Sequence, residues 1–396
     1  MTAHLCCQSH YSFGHGTASP ESLATAAAAR GITHLALTDW EGLYAAEPFH
    51  RAAREAGIAP LFGARLRAEE RDPGCVVLAR DTEGYRVLCR IIARRHLGGD
   101  WRAELEAGAA HLFALAGSVD WLGTLDRAPL RATGALYARR TPAALCRDRG
   151  ELRARERLAR EAQQRGIPPV ACGEVAFLDP GDHRAHRLLR AMHGATSVHR
   201  QDLTLCAPAG AWLRDAATLA ADFAEEDEAR ANAAAIARSC DPDLLAPVLG
   251  ELHFPPFETA PNETAEDRLR RHAEAGLPWR FGEPVPEAAR QRLAHELGVI
   301  NAAGFAPYFL VAEELVREAR RRGTPVLGRG SGAGSLVAYV LGLTGVDPLR
   351  HGLVFERFLS PERQNPPDID LDFPWDEREA LVDWLFERYG ADRVAM

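Results

Sequence analysis

At 396 residues the chain exceeds what one ordinary hydrophobic core organises, so two domains are expected, and 46% hydrophobic with 26% charged residues is a globular balance. A net charge of -8 argues against a surface that grips nucleic acid throughout, so any such contact is local. No window approaches the roughly 18 uncharged apolar residues of a spanning helix. The start MTAHLCCQSHYS lacks a basic region followed by an apolar run, so a cytoplasmic location without a membrane partner is expected.

In chain order, the periodicity predicts a helix over 19–30, a strand over 32–37, a helix over 47–56 and a strand over 60–62, an α/β rhythm. It resumes with the apolar run HLFALAG at 111–117, a helix over 151–164 closed by Gly166, and the strand-like PPVAC at 168–172. Residues 215–240, Ala-rich with acidic breaks, read as one helix. Pro and acidic residues cluster over 241–262, which marks the linker. Thr264 and Asp267 form a capping signature, and helices continue to Arg322, where Arg320, Arg321 and Arg322 precede Gly323 and complement the helix dipole. The eight cysteines, Cys6 and Cys7 among them, show neither a CxxC pair nor zinc-finger spacing, and are expected as reduced thiols. No lysine occurs, so every basic group is Arg or His.

Two segments carry chemistry. In PPDIDLDF (366–373), Asp368, Asp370 and Asp372 alternate with Ile369, Leu371 and Phe373, which on a strand puts all three carboxylates on one face. Like charges so spaced repel, and a shared divalent cation relieves the repulsion, which makes the strand a candidate platform for metal-assisted phosphoryl transfer. An edge strand with a solvated acidic face is the plainer alternative. In VLGRGSGAGSLVAYVLGLT (326–344), Gly328, Gly330, Gly332 and Gly334 precede an apolar helix expected near Ser335, and open amides at such a start suit phosphate. The loop lacks the closing Gly-Lys-Ser/Thr of a Walker motif and the spacing of a dinucleotide fold. Arg329, Arg357 and Arg363 add charge that could neutralise a triphosphate. Loop, arginines and acidic strand within a short stretch point to nucleotidyl transfer.

The runs GFAPYFLVAEELV (304–316), GRGSGAGSLVAYVLGLTGVDPL (328–349), FERFLSPER (355–363) and PPDIDLDF resemble the first half of the palm of bacterial C-family DNA polymerases, the DNA polymerase III alpha subunit type. The resemblance implies a polymerase-beta-like palm in which Asp368 and Asp370 are two of three catalytic, metal-binding aspartates. It implies that Arg329, Gly330, Ser331 and Gly332, with Arg357 and Arg363, meet the incoming nucleotide. A two-metal magnesium site, primer-template DNA, deoxynucleoside triphosphates and replisome subunits such as the sliding clamp follow from it for the complete protein. The third aspartate and the clamp-binding parts belong to later family segments, so this chain alone is expected to be inactive.

The first 200 residues resemble the PHP domain that precedes that palm, a distorted α/β barrel, with 201–262 as helix and linker and 263–396 as the incomplete palm. Where the family has His-x-His, Cys6 and Gln8 stand; Thr-Asp-His reads Thr38-Asp39-Trp40; Gly-x-Glu reads Gly63-Ala64-Arg65; and near Gly173-Glu174-Val175-Ala176 a histidine is replaced by Ala176. Asp39, with His183 or His186, is what remains of a metal set, so this metal site is expected to be degenerate. A non-proofreading, error-prone or lesion-bypass parent agrees with that. The alternatives are a PHP-type phosphoesterase or 3′–5′ exonuclease, and a non-catalytic fragment that binds nucleotide or DNA.

Overall fold

The computed structural model describes residues 2–249, 257–360, 367–391 and 393–394. Two compact units divide the chain, Met1–Glu251 and Leu252–Met396.

The first unit is built on seven strands: β1 (Ala3–Cys7), β2 (His34–Trp40), β3 (Ala59–Leu66), β4 (Cys75–Ala79), β5 (Leu112–Ala116), β6 (Leu136–Arg140) and β7 (Pro169–Ala171). They lie side by side in sequence order. β1, β2 and β3 run parallel, as do β5, β6 and β7, while β4 is antiparallel to both neighbours. Beyond β7 the chain returns to β1: the Gln8 amide donates to the Val175 carbonyl at 2.9 Å and the Val175 amide to the Cys6 carbonyl at 3.1 Å. The segment after β7 thus reaches β1 through a single bridge, Cys7 with Val175, and the sheet curls into the expected distorted α/β barrel. β4 (CVVLA) and β5 (LFALA) are buried throughout, and their unbroken apolar runs are what a strand covered on both faces requires.

The helices of this unit are α1 (Pro20–Ala29), α2 (Ala46–Ala56), α3 (Thr82–His96), α4 (Trp101–Ala107), α5 (Val119–Leu125), α6 (Ala128–Ala132), α7 (Arg149–Gln164), α8 (His183–His193), α9 (Ala216–Asp222), α10 (Asp227–Ser239) and α11 (Ala246–Leu249). Where one helix was expected over 215–240 there are two. The break falls at Glu226, whose carboxylate is pulled onto Arg140 at 2.9 Å and is met by Arg155. Leu219 and Phe223 from this stretch, with Ala233 and Ile236 of α10, are buried with Leu5, Cys6 and Val170 of the barrel. Residues 201–249 thus pack as part of the first unit.

The second unit holds α12 (Ala265–Phe281), α13 (Glu287–Ala302), α14 (Ala306–Arg322), α15 (Leu336–Val340) and α16 (Trp375–Tyr389), with an antiparallel pair, β8 (Leu327–Arg329) and β9 (Asp370–Asp372). α12 opens on the reciprocal cap expected from the sequence: Thr264 Oγ1 accepts from the Asp267 amide at 3.1 Å, and the Thr264 amide donates back to Asp267. Leu269, Phe309, Leu336 and Phe355 lie in one fully buried core, each contributing about 2–3 kcal/mol of apolar burial. Among the described residues no single helix is long and apolar enough to cross a membrane.

Candidate functional site

The second unit brings the glycine loop and the acidic strand together. β8 pairs with β9 so that Arg329 faces Asp370, Gly328 faces Leu371 and Leu327 faces Asp372. Two glycines make this possible. A Cβ on Gly328 would lie 2.0 Å from the Leu343 carbonyl oxygen, so only glycine lets β8 run this close to the segment after α15. Gly330 turns the chain with φ +73°, and a Cβ there would sit 3.1 Å from Asp370 Oδ2. Residues Gly330–Gly334 then form a 3₁₀ turn, with Ser331 exposed and Gly332 buried.

Only Asp370 and Asp372 lie on β9; Asp368 is exposed just before it. The expectation of three carboxylates on one strand face is corrected to two, because β8 offers only three residues for pairing before the turn at Gly330. The alternation itself is present: Ile369 and Leu371 pack against the core, which turns Asp370 and Asp372 to the other side. Both are met by Arg329, with Nη1 3.2 Å from Asp370 Oδ2 and Nε 3.1 Å from Asp372 Oδ1. The hydrogen bond to Asp372, then the charges of Asp370 and Asp372, raise the Arg329 pKa. Arg357 is exposed on a single 3₁₀ turn (Phe355–Arg357) beside the glycine turn, and Arg363 lies outside the described residues.

A residue the sequence reading did not single out is Tyr308, in the first turn of α14. Its hydroxyl accepts from the Ile369 amide at 3.2 Å and so fixes the backbone between Asp368 and Asp370. Burial raises its pKa, and the two aspartates add to the rise. A second is Glu296 on α13, fully buried, which accepts from Ser335 Oγ at 2.9 Å and from the Val337 amide at 3.1 Å, with Arg292 Nε 2.6 Å away. The start of α15 was expected to offer open amides to a phosphate. Instead Glu296 and the Ser335 hydroxyl, which accepts from the Ala338 amide at 3.1 Å, take them. The tripeptide Ser335-Leu336-Val337 carried no sign of this, since the carboxylate comes from a helix about 40 residues earlier.

No group of three or more His, Cys, Asp or Glu side chains set to hold a metal ion occurs among the described residues. Asp368, Asp370 and Asp372 nevertheless offer only oxygen donors, the donor type that magnesium takes, at a place where a cation, the Arg329 guanidinium, already sits.

The centre of the first unit is different. Arg65 on β3 is 4% exposed and pairs with Glu174, Nη1 to Oε1 at 2.8 Å. Its Nε and Nη2 donate to the Pro73 carbonyl at 3.1 and 2.9 Å, and the guanidinium carbon lies 4.2 Å from the centre of the Trp40 ring. Burial works against the Glu174 charge, but Arg65 and His15 overcome it and hold the carboxyl well below the usual range. Asp39, 2% exposed, accepts from the Ser9 amide, Ser9 Oγ and Ser12 Oγ at 2.7, 2.8 and 2.6 Å. Both His186 nitrogens are engaged: Nδ1 donates to the His15 carbonyl at 2.7 Å and Nε2 accepts from the Ala207 amide at 2.8 Å. A divalent cation fits poorly here, because the Arg65 cation holds Glu174 and the donor atoms of Asp39 and His186 are already engaged.

Comparison with known proteins agrees with this layout. Residues 4–165 match the PHP domain, and residues 267–396 match the bacterial DNA polymerase III alpha NTPase domain. The chain therefore carries, in that order, one stretch that matches each of these two families. Over 99% of its length it is 37% identical to an error-prone DNA polymerase of Mycobacterium bovis, and over its whole length 33% identical to one of Anaeromyxobacter dehalogenans. It spans 38% and 42% of those two relatives, respectively. A solved amidohydrolase from Chromobacterium violaceum aligns over 43% of this chain and 86% of its own at 15% identity and a TM-score of 0.29, too distant to argue from.

Proposed function

We propose that these residues are the front portion of a DNA-directed DNA polymerase that transfers nucleotides from deoxynucleoside triphosphates to a primer 3′ hydroxyl, in error-prone or lesion-bypass synthesis in the cytoplasm. Asp368 and Asp370 would hold two magnesium ions together with a carboxylate from a later segment. The ions would supply charge neutralisation at the phosphates and a more acidic 3′ hydroxyl. Arg329, Gly330, Ser331 and Gly332 would take the triphosphate, with Arg357 and Arg363 contributing charge. Primer-template DNA and replisome subunits such as the sliding clamp are the partners this reading requires. The observation that carries it is the pairing of Arg329 with Asp370 across β8 and β9, which sets a backbone-exposing glycine turn directly beside two carboxylates. The PHP centre is read as scaffold, since Arg65 on Glu174 counts against a metal-dependent phosphoesterase or exonuclease.

Primer extension with magnesium and four nucleotides tests it, using a protein of the relatives' length that contains these residues. Extension is expected from the parent and a drop on the order of a thousandfold from its Asp368→Ala, Asp370→Ala double variant; the 396-residue chain alone should extend nothing. A double variant that extends like its parent would sink the proposal.

A further inference from the structure

β9 carries two of the three carboxylates that the alternation predicts for it, so Asp368 is placed by something other than strand pairing. The register sets Leu327 opposite Asp372, Gly328 opposite Leu371 and Arg329 opposite Asp370, and a longer ladder would next set Gly330 opposite Ile369. Gly330 turns away instead, with φ +73°. The Ile369 amide, at the step that joins Asp368 to Asp370, has to find its acceptor outside the ladder. Arg329 grips Asp370 and Asp372, not Asp368.

That acceptor is the Tyr308 hydroxyl, to which the Ile369 amide donates at 3.2 Å. The Tyr308 ring packs against the core of the second unit, edge-on to the fully buried Phe309 with ring centres 6.4 Å apart, so packing sets the direction of its hydroxyl. Burial raises the Tyr308 pKa first, and the charges of Asp368 and Asp370 add to the rise, which puts both carboxylates within reach of this one hydroxyl. Ile369 packs on the same core and restrains the step from its other side. A hydroxyl on the amide between two carboxylates orients both while leaving their oxygens to a cation.

We infer that Tyr308 is a positioning residue for the metal site: by accepting from the Ile369 amide it does for Asp368 what strand pairing does for Asp370, and sets the two carboxylates at one spacing before a cation arrives. The inference rests on the polymerase reading of Asp368 and Asp370. Two carboxylates brought together without a cation repel, so an untethered Asp368 would swing away and part of the cation's binding energy would go to bringing it back. Orientation in advance by Tyr308 removes that cost. Its loss is therefore felt as weaker metal affinity, and little once the metal is bound.

The test is Tyr308→Phe, which removes the acceptor and keeps the ring. In the 396-residue chain, manganese binding followed by electron paramagnetic resonance with a deoxynucleoside triphosphate present should weaken at least about tenfold. In a protein of the relatives' length, the magnesium concentration for half-maximal primer extension should rise by a similar factor, with the rate at saturating magnesium within about twofold of the parent. Tyr389→Phe, which removes a hydroxyl bonded at 2.5 Å to Glu314 of the same α14, should change neither. Unchanged manganese affinity in Tyr308→Phe, a fall in rate that magnesium does not restore, or an equal shift in Tyr389→Phe would overturn the inference. The Asp368→Ala, Asp370→Ala double variant keeps the two readings apart. Full extension by it sinks the polymerase reading and this one with it, whereas no extension by it, beside a Tyr308→Phe protein with the parent's magnesium dependence, sinks this one alone.

Discussion

Each unit of the chain sets an arginine on acidic side chains, and burial makes the two arrangements opposites. Arg65 is 4% exposed on a Glu174 that is 15% exposed, braced by two hydrogen bonds to Pro73 and the face of Trp40. Arg329 is 61% exposed, and its partners Asp370 and Asp372 are 33% and 51% exposed. A buried pair left without one member strands a charge in low dielectric, whereas an exposed pair exchanges its partner for water at little cost. The first arginine is therefore fixed on its carboxylate, and the second is displaceable from its two.

The largest expected effect that could break this contrast is at Arg65. Arg65→Ala should lower unfolding free energy by about 3–5 kcal/mol, read by denaturant titration, because Glu174 would be left buried and unpaired. A loss below about 1 kcal/mol would mean that the pair is not holding the barrel.

Acid sharpens the contrast next. Burial lowers His4 and His186 to a pKa of about 4 in the folded first unit, against about 6.5 unfolded. The unfolded chain then binds more protons between those values, so stability is full above about 6.5 and falls as pH drops toward about 4. For His4 alone the loss amounts to about 3 kcal/mol, and His4→Asn should flatten that part of the pH profile. Glu174 keeps contributing across this window: its depressed pKa means its stabilisation is present above the usual carboxylate value and lost only as pH falls through its own, much lower one. A flat profile in the wild-type chain between pH 6.5 and 4 would contradict the neutral-histidine account.

The smallest effect belongs to the second unit. Arg329→Gln should change stability by less than about 1 kcal/mol, as for other exposed ion pairs. A loss as large as that at Arg65 would show the two arginines to be the same kind of device.

Much of the second centre was legible because its parts are local. The acidic alternation over 368–373 and the glycines over 328–334 are each contiguous in sequence, and the packing of Ile369 and Leu371 against the core follows from their period. What was not legible came from pairing and distance. The three-residue length of β8 leaves Asp368 off the strand, and Glu296 reaches the start of α15 from another helix. In the first unit the absence of family ligands at Cys6, Gln8 and Arg65 could be read directly. That Arg65 would land on Glu174, 109 residues away, could not, because it depends on β3 and the segment after β7 pointing into the same barrel mouth. The strands β1, β4 and β6 also went unread: each is only five residues long, and in AHLCC and LYARR tertiary pairing rather than local propensity makes the strand.

The most direct measurement is manganese binding by electron paramagnetic resonance with a deoxynucleoside triphosphate present, comparing the chain with its Asp368→Asn, Asp370→Asn variant and with Glu174→Gln. The account predicts bound manganese in the wild-type chain and in Glu174→Gln, and its loss in the aspartate variant. Manganese retained without the two aspartates, but lost in Glu174→Gln, would contradict it and return the metal to the first unit.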